Sequence, residues 1–348
     1  MCFQLLCFHI FSRNIIYQEI TIFNLSQLGW KQFFKQQLTV DEKTQSYPAR
    51  ISKIHRSHCI VWSNKGIETF EVGVFSEPKS LAVGDWILIP NEGKRPLRIL
   101  DRETVLTRKA AGKRTHEQTI AANVDTLFIV MSCDQDFNVS RIERYLALAF
   151  EAGINPVVVL TRIDKINNAD SFKQEVQALQ DDLRVECVNA KDSSSLSSLR
   201  TLCTEGHTIA LVGSSGVGKS TLINSLTDAE QLTAVVSAED GKGQHTTTSR
   251  SLHLLNDGGI LIDTPGIREL QLSDCESGLE DAFDDVIQFI AQCKFNNCQH
   301  DTEKVCGIKA ALESGELDQR RWENFQKLQG EQKLRNTPQY EKGRSRKQ

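Results

Sequence analysis

Gly213-Ser214-Ser215-Gly216-Val217-Gly218-Lys219-Ser220 reads G-x-x-x-x-G-K-S, and Thr221 follows it. The apolar run Ile209-Ala210-Leu211-Val212 stands in front, and Thr221 to Leu226 behind has helical spacing. Strand, glycine loop and helix form the setting in which this motif binds phosphate. Glycines let main-chain N–H groups converge on the oxygens, and the helix N-terminus adds positive potential. In that setting Gly213 to Thr221 cradle a nucleotide, Lys219 reaches the β- and γ-phosphates, and the Ser220 hydroxyl serves Mg²⁺. The competing reading, a glycine-rich turn with a chance Lys-Ser, does not account for the intact flanks.

Downstream lies a polar loop, Ser237 to Arg250, containing Gly241, Gly243 and Gln244-His245-Thr246-Thr247-Thr248. A threonine in such a loop, here Thr247, can ligate Mg²⁺ and sense the γ-phosphate; an ordinary flexible loop is the alternative. Leu252 to Leu255 and Gly259 to Ile262 read as a strand pair ending in Asp263-Thr264-Pro265-Gly266, a D-x-x-G. Asp263 would hold Mg²⁺ through water, and the Gly266 amide would meet the γ-phosphate.

Upstream, Thr126 to Val130 and Val157 to Leu160 are strand-like. Between them a helical stretch from Ser140 to Phe150 places Ile142, Tyr145, Leu146 and Phe150 on one face, with Ser140 as its expected N-cap. The alternation implies a parallel sheet. Thr161-Arg162-Ile163-Asp164 closes the second strand, where α/β sheets bind ligands. A carboxylate there accepts from guanine N1–H and the N2 amine, a donor pair adenine lacks. The stretch resembles the N/T-K-x-D motif of GTPases, with Arg162 in the lysine position, where its stem can lie over the base. A helix is expected from about Asp170 to Leu183 and a strand from Arg184 to Val188. Asn189-Ala190-Lys191 then stands where GTPases carry Ser-Ala-Lys; Asn189 departs from Ser, but the contact is mostly through the Ala190 amide.

The base motif therefore precedes the P-loop, the reverse of an ordinary GTPase. The order is that of a circular permutation, which is tolerated where termini lie close together at the surface.

Two flanking regions complete the chain. Arg50 to Ile54, Cys59 to Trp62, Glu68 to Val72, Trp86 to Ile89 and Arg98 to Leu100 read as five short strands, the pattern of an OB-type β-barrel. Such barrels often carry oligonucleotides, although the domain could equally only pack on the rest. Arg108-Lys109-Ala110-Ala111-Gly112-Lys113-Arg114 follows, either a phosphate contact or a solvated linker. Near the other end, Cys293-x₄-Cys298-x-His300-x₅-Cys306 supplies three thiolates and an imidazole, a closed tetrahedral set for one structural Zn²⁺. Ala310 to Leu328 reads as helix, and a basic polar tail ends the chain.

With 348 residues, 39% hydrophobic and 25% charged, the composition is that of a globular protein. A net charge of −4 gives no global nucleic-acid signature, so any RNA contact must be local. Ten cysteines, only three of them clustered, are expected to be free thiols in a reducing compartment outside the cluster. The apolar first residues lack a basic lead and a cleavage site and are too short to span a bilayer, so the expectation is a cytoplasmic protein without membrane contact.

The combination of Gly84-Asp85-Trp86, Ala122-Asn123-Val124-Asp125, the P-loop, His245-Thr246-Thr247-Thr248 and the Cys/His cluster resembles the ribosome small subunit-dependent GTPase A (RsgA) family, from about residue 47 to 330. The resemblance implies a multidomain α/β protein with an N-terminal OB barrel, a circularly permuted P-loop GTPase domain and a C-terminal zinc-binding helical domain. The expected boundaries are 1–45 extension, 46–108 OB domain, 109–275 permuted G domain, 276–330 zinc domain and 331–348 tail. It also implies a monomer that hydrolyses GTP with Mg²⁺ on the small (30S) ribosomal subunit and its 16S rRNA during late maturation.

Ile267 stands just after Gly266, near where many GTPases place a water-orienting Gln, and cannot do that work. The resemblance points instead to His245 as the catalytic residue, with Arg250 a weaker candidate for transition-state charge. Two rivals remain. A P-loop ATPase or kinase conflicts with Asp164, and a GTP-binding RNA scaffold without turnover conflicts with Lys219, Ser220, Asp263 and the threonine run.

Overall fold

The fold, a computed structural model, describes residues 22–75, 81–93, 95–109, 117–227, 250–263 and 275–336. Strands β1 (Ser46–Ile54), β2 (His58–Ser63), β3 (Gly66–Glu71), β4 (Trp86–Pro90) and β5 (Arg98–Ile99) pair antiparallel in the order β3-β2-β1-β4-β5. These are the five strands expected of the OB-type barrel. Tyr47, Ala49 and Ile51 alternate along β1 into a barrel core shared with Val61, Phe70, Ile87 and Ile89. The opposite side, with Trp62 and Trp86 fully buried, is covered by the chain that precedes the barrel. Phe23 stacks on Trp62 with ring centroids 4.9 Å apart, and Trp30 meets Trp86 edge-on at 4.8 Å. Residues 22–45, expected as part of an extension, thus form a layer of the fold. It contains α1 (Gln32–Lys35) and α2 (Val40–Gln45), the latter closed by a Thr39–Glu42 capping box. Trp30, Phe33 and Phe34 have helical spacing, but α1 is a single turn and the aromatic partners of the layer lie on the barrel strands, which is why its order was not legible.

Strands β6 (Val105–Lys109) and β7 (Glu117–Ala122) form a hairpin that the sequence reading did not anticipate; Arg108 and Lys109 lie in it, and the rest of that basic stretch falls outside the described residues.

The nucleotide-binding unit is built on β8 (Thr126–Ser132), β9 (Asn155–Thr161), β10 (Arg184–Cys187), β11 (Thr208–Val212), β12 (Ser251–Leu254) and β13 (Ile260–Asp263). The order β10-β9-β8-β11-β13 is parallel throughout, and β12 adds antiparallel to β13. Both faces are covered, so side chains alternate between two cores. Leu127, Ile129 and Met131 face one core, with Ile142 and Tyr145 of α3 (Val139–Glu151) and Val176 of α4 (Ala169–Gln177). Phe128 and Val130 face the other, with Leu199 of α5 (Ser197–Arg200) and Leu222 of α6 (Lys219–Leu226). Burial on both faces explains the unbroken apolar runs. Helix α3 is capped by Asn138 rather than by Ser140, and α4 is shorter than expected.

The barrel and this unit are joined. Lys53 on β1 is in register with Ser251 on β12. Arg50, 1% exposed, donates to the carbonyls of Leu28 (2.7 Å), Asn123 (3.0 Å) and Gly84 (3.2 Å) and to the Thr208 hydroxyl (2.9 Å). Gly84 has φ +95°, and a Cβ there would come 2.1 Å from the Ala122 carbonyl oxygen. Asp85, fully buried, accepts from the Ala82 amide (2.7 Å) and from Arg102 at 2.7 and 2.9 Å. Asp125 accepts from the Thr208 amide at 2.8 Å. The Gly-Asp-Trp and Ala-Asn-Val-Asp motifs are therefore the seam between the two parts.

The C-terminal region is helical: α7 (Glu276–Ala282), α8 (Asp284–Ala291), α9 (Gly307–Ser314) and α10 (Gln319–Asn336). The single helix expected over 310–328 is two, because Gly315 terminates the first in a left-handed conformation (φ +79°). The region docks on α3. Glu143, fully buried, accepts from Arg320 (3.0 and 3.1 Å), Arg321 (2.9 Å) and Asn324 (2.5 Å), and Arg144 pairs with Glu331 at 2.8 and 2.9 Å. Among the described residues no helix is long and apolar enough to cross a membrane.

Candidate nucleotide site and metal centre

The C-terminal ends of β9 and β11 carry the base motif and the P-loop. The P-loop leaves β11 at Gly213, whose φ of +141° and close approach to β8 exclude a side chain: a Cβ would lie 2.2 Å from the Val130 carbonyl oxygen. Ser215, Gly216 and Ser220 are exposed, while Val217 is buried beneath the loop. Lys219 Nζ donates to the Gly213 and Ser214 carbonyls at 2.7 and 2.5 Å, placing its charge over the loop. Asp263, at the end of β13, faces that charge; burial pushes its carboxyl above the ordinary range and Lys219 opposes the shift.

The base motif sits beside the loop. The buried Thr161 hydroxyl donates to the Val217 carbonyl at 2.6 Å, so β9 and the P-loop are clamped together. Arg162 occupies the left-handed region at φ +60°, and its guanidinium pairs with Asp134 and donates to the Gly216 carbonyl. Asp164 follows in a short 3₁₀ turn, Ile163–Lys165, with its side chain exposed. Asn189 turns its own loop: its amide donates to the Ser195 hydroxyl (2.8 Å) and its side-chain oxygen accepts from the Lys191 amide (3.1 Å). Ser225 of α6 donates to the Ala190 carbonyl at 2.6 Å, which draws this loop to the helix behind the phosphates. Thr161 and Arg162 thus touch the P-loop directly, Ala190 is tied to the helix that follows it, and Asp164 lies two residues beyond Arg162. His245, Thr247 and Gly266 lie outside the described residues.

Sequence reading passed over Arg141, in the first turn of α3, which touches the P-loop, and Asp134 and Asp136 of the β8–α3 connection, which pair with Arg162 and Arg141. Arg141 donates to the Ser214 hydroxyl at 2.5 Å and pairs with Asp136 at 3.2 Å. The available signal was position: Asp134-Gln135-Asp136 lies at the C-terminal end of a parallel strand.

The second centre is at the far end of the chain. Cys293 follows α8, Cys306 caps α9, and Cys298 and His300 lie in the loop between. Their ligand atoms all lie within 4.8 Å of one another. His300 Nδ1 is 3.5 Å from Cys293 Sγ and 3.4 Å from Cys306 Sγ, and the two sulfurs are 3.9 Å apart. A tetrahedral ion held by sulfur at about 2.3 Å and nitrogen at about 2.0 Å sets S···S at roughly 3.8 Å and S···N at roughly 3.5 Å. The four residues fit one such ion. His300 reaches its position through a left-handed backbone (φ +59°), and its ring packs edge-on against Trp322 of α10. Burial acts to raise the Cys293 thiol, but the Gly307 and Ile308 amides and the neighbouring thiols hold it below its ordinary value, the form that binds a cation.

Comparisons with known proteins identify the family. A protein-family model described as RsgA GTPase matches residues 99–273. The chain is 50% identical over 309 residues to small ribosomal subunit biogenesis GTPase RsgA 2 of Vibrio parahaemolyticus, covering 88% of this chain and 86% of that one. It is 42% identical over 319 residues to small ribosomal subunit biogenesis GTPase RsgA of Mesorhizobium japonicum, covering 90% and 91%. Among solved structures, YloQ, described as a circularly permuted GTPase, superposes with a TM-score of 0.58 at 25% identity over 85% of this chain and 98% of that one. YjeQ from Thermotoga maritima gives 0.60 at 24% identity over 84% and 100%.

Proposed function

This chain belongs to the RsgA GTPase family, and from that premise we propose that it is a GTPase that binds the small (30S) ribosomal subunit and turns over GTP faster when bound. It hydrolyses GTP to GDP and phosphate in late subunit maturation, acting as a cytoplasmic monomer that touches 16S rRNA. The observation that carries the reading is the clamp between Thr161 and the Val217 carbonyl, 2.6 Å, which puts a guanine-type motif against a P-loop that follows it in sequence.

In this reading Asp164 accepts from the guanine edge, Thr161 and Arg162 brace the base motif against the loop, and Asn189 and Ala190 shape the wall by the base. Gly213 to Thr221 surround the phosphates, and Lys219 swings from the Gly213 and Ser214 carbonyls to the β- and γ-phosphates. Mg²⁺ brought with GTP neutralises phosphate charge; Ser220, Thr247 and Asp263 would hold it, with the Gly266 amide at the γ-phosphate. His245 orients the attacking water, since Ile267 cannot. Cys293, Cys298, His300 and Cys306 would hold one structural Zn²⁺. The functional units are 46–108, 109–275 and 276–330, with 1–45 leading in and 331–348 a basic tail.

The experiment is phosphate release from GTP with and without purified 30S subunits, using ATP as control. GTP-specific stimulation is expected, and His245→Ala should remove it while sparing nucleotide binding. Equal rates with and without subunits would overturn the ribosome-gated reading.

A further inference from the structure

The β8–α3 connection carries two carboxylates, and each orients an arginine onto the P-loop. Asp134 pairs with Arg162, which donates to the Gly216 carbonyl. Asp136 pairs with Arg141, which donates to the Ser214 hydroxyl. The two arginines therefore hold the loop at two nearby residues, Gly216 and Ser214. The first arises from the guanine motif; the second belongs to no motif read in this chain.

We propose that Arg141 is a positioning residue for the nucleotide loop, keeping Ser214 in place when Lys219 leaves it for the phosphates; this rests on the GTPase reading above. Ser214 is gripped twice: its carbonyl accepts from Lys219 at 2.5 Å and its hydroxyl from Arg141 at 2.5 Å. A lysine that turns to the β- and γ-phosphates gives up the first grip. Arg141 can keep the second, because its Nη1, which donates to the Ser214 hydroxyl, also donates to the Asp136 carboxylate at 3.2 Å and is held by it. The arm is also presented from a rigid support. Neighbouring residues of the same helical turn are tied to α10: the Ser140 carbonyl accepts from Asn324 at 3.3 Å, and buried Glu143 accepts from Arg320, Arg321 and Asn324. Arg141 acts on loop geometry through a side-chain hydroxyl, so it supports GDP and GTP alike. Its contribution is uniform binding rather than selective stabilisation of the transition state.

The test measures equilibrium binding of fluorescent GDP and of a non-hydrolysable GTP analogue, together with kcat and KM for GTP. The variants are Arg141→Gln, Arg141→Lys, Ser214→Ala and the double variant Arg141→Gln/Ser214→Ala. Arg141→Gln should weaken both nucleotides by about tenfold, the scale of one charge-assisted hydrogen bond, with kcat within about twofold of the parent. Arg141→Lys should recover part of the loss. The double variant should bind no worse than the weaker single one, since both remove one contact. Ser214→Ala keeps the helix surface intact and carries the test if Arg141→Gln lowers the Tm. Unchanged affinity in both single variants, or fully additive losses in the double variant, would overturn the inference. A parent protein that binds neither guanine nucleotide would instead overturn the GTPase reading itself.

Discussion

Arg50, on the first barrel strand, donates to the hydroxyl of Thr208 at 2.9 Å, and Thr208 begins the strand that ends in the P-loop. One buried guanidinium thus connects the barrel to the nucleotide site while satisfying the carbonyls of Leu28, Gly84 and Asn123. Burial lowers its pKa to about 10, against the pull of Asp125 and Asp85, so it stays charged at neutral pH. Arg50→Met should cost about 3 kcal/mol or more, because several buried acceptors lose their donor together. Denaturant unfolding of the full chain checks this, and the loss should exceed that of Arg98→Met, whose side chain is partly exposed.

Asp164 stands exposed in the short turn that follows β9, and in the proposed reading its carboxylate accepts from the guanine edge. Asp164→Ala should weaken GTP binding by about 3 kcal/mol, two charge-assisted hydrogen bonds, and leave ATP binding as it was. Competition binding of the two nucleotides measures the difference. Equal loss for both would show that the residue shapes the pocket without reading the base.

The C-terminal cluster should bind one zinc per chain, measured by elemental analysis of the purified protein. Cys306→Ser should lose most of it, since Cys306 both lies 3.4 Å from His300 and caps α9. Strong chelators should then release α9 and expose Trp322, which packs on the His300 ring. A red-shifted and quenched tryptophan emission on chelation is the expected signal.

His253 lies on β12, near Lys53 at the barrel seam, with the Ser251 hydroxyl 2.8 Å from its Nε2. Burial, and then the Lys53 charge, lower its pKa from 6.5 to about 4. Between those values the unfolded chain takes up a proton that the folded chain refuses, so stability falls as pH drops from about 6.5 to about 4. His253→Gln should remove this part of the pH dependence and leave stability above pH 7 nearly unchanged. Chemical unfolding at pH 7.5 and pH 5 compares the two proteins.

Much of this was legible in the residues. The P-loop, the D-x-x-G strand and the Cys/His cluster announce themselves because phosphate and metal chemistry demand particular residues at close spacing. The five barrel strands showed through their turn signals, and the inverted motif order pointed to permutation. What stayed hidden depends on contacts distant in sequence. Phe23 and Trp30 lie outside any long periodic segment, and their partners Trp62 and Trp86 are more than thirty residues away in sequence. Arg141 looks like any polar residue of a helix; only the meeting of β8 and β11 brings it to Ser214. Nothing in their spacing marks Glu143 and Arg321 as partners, although docking of the C-terminal helices buries them together.

The permuted strand order also has a consequence for biosynthesis. The barrel, the base motif and the sheet margin β10-β9-β8 are all translated before β11, the strand that must lie against β8. A nascent chain emerging from the ribosome therefore carries an open β8 edge, with Phe128 and Val130 still lacking the α6 side of their core. The phosphate loop arrives last among the parts that meet at the Thr161 clamp. Guanine nucleotide can act as a ligand only after that edge is closed, so it stabilises the finished sheet and gives no help to the growing one.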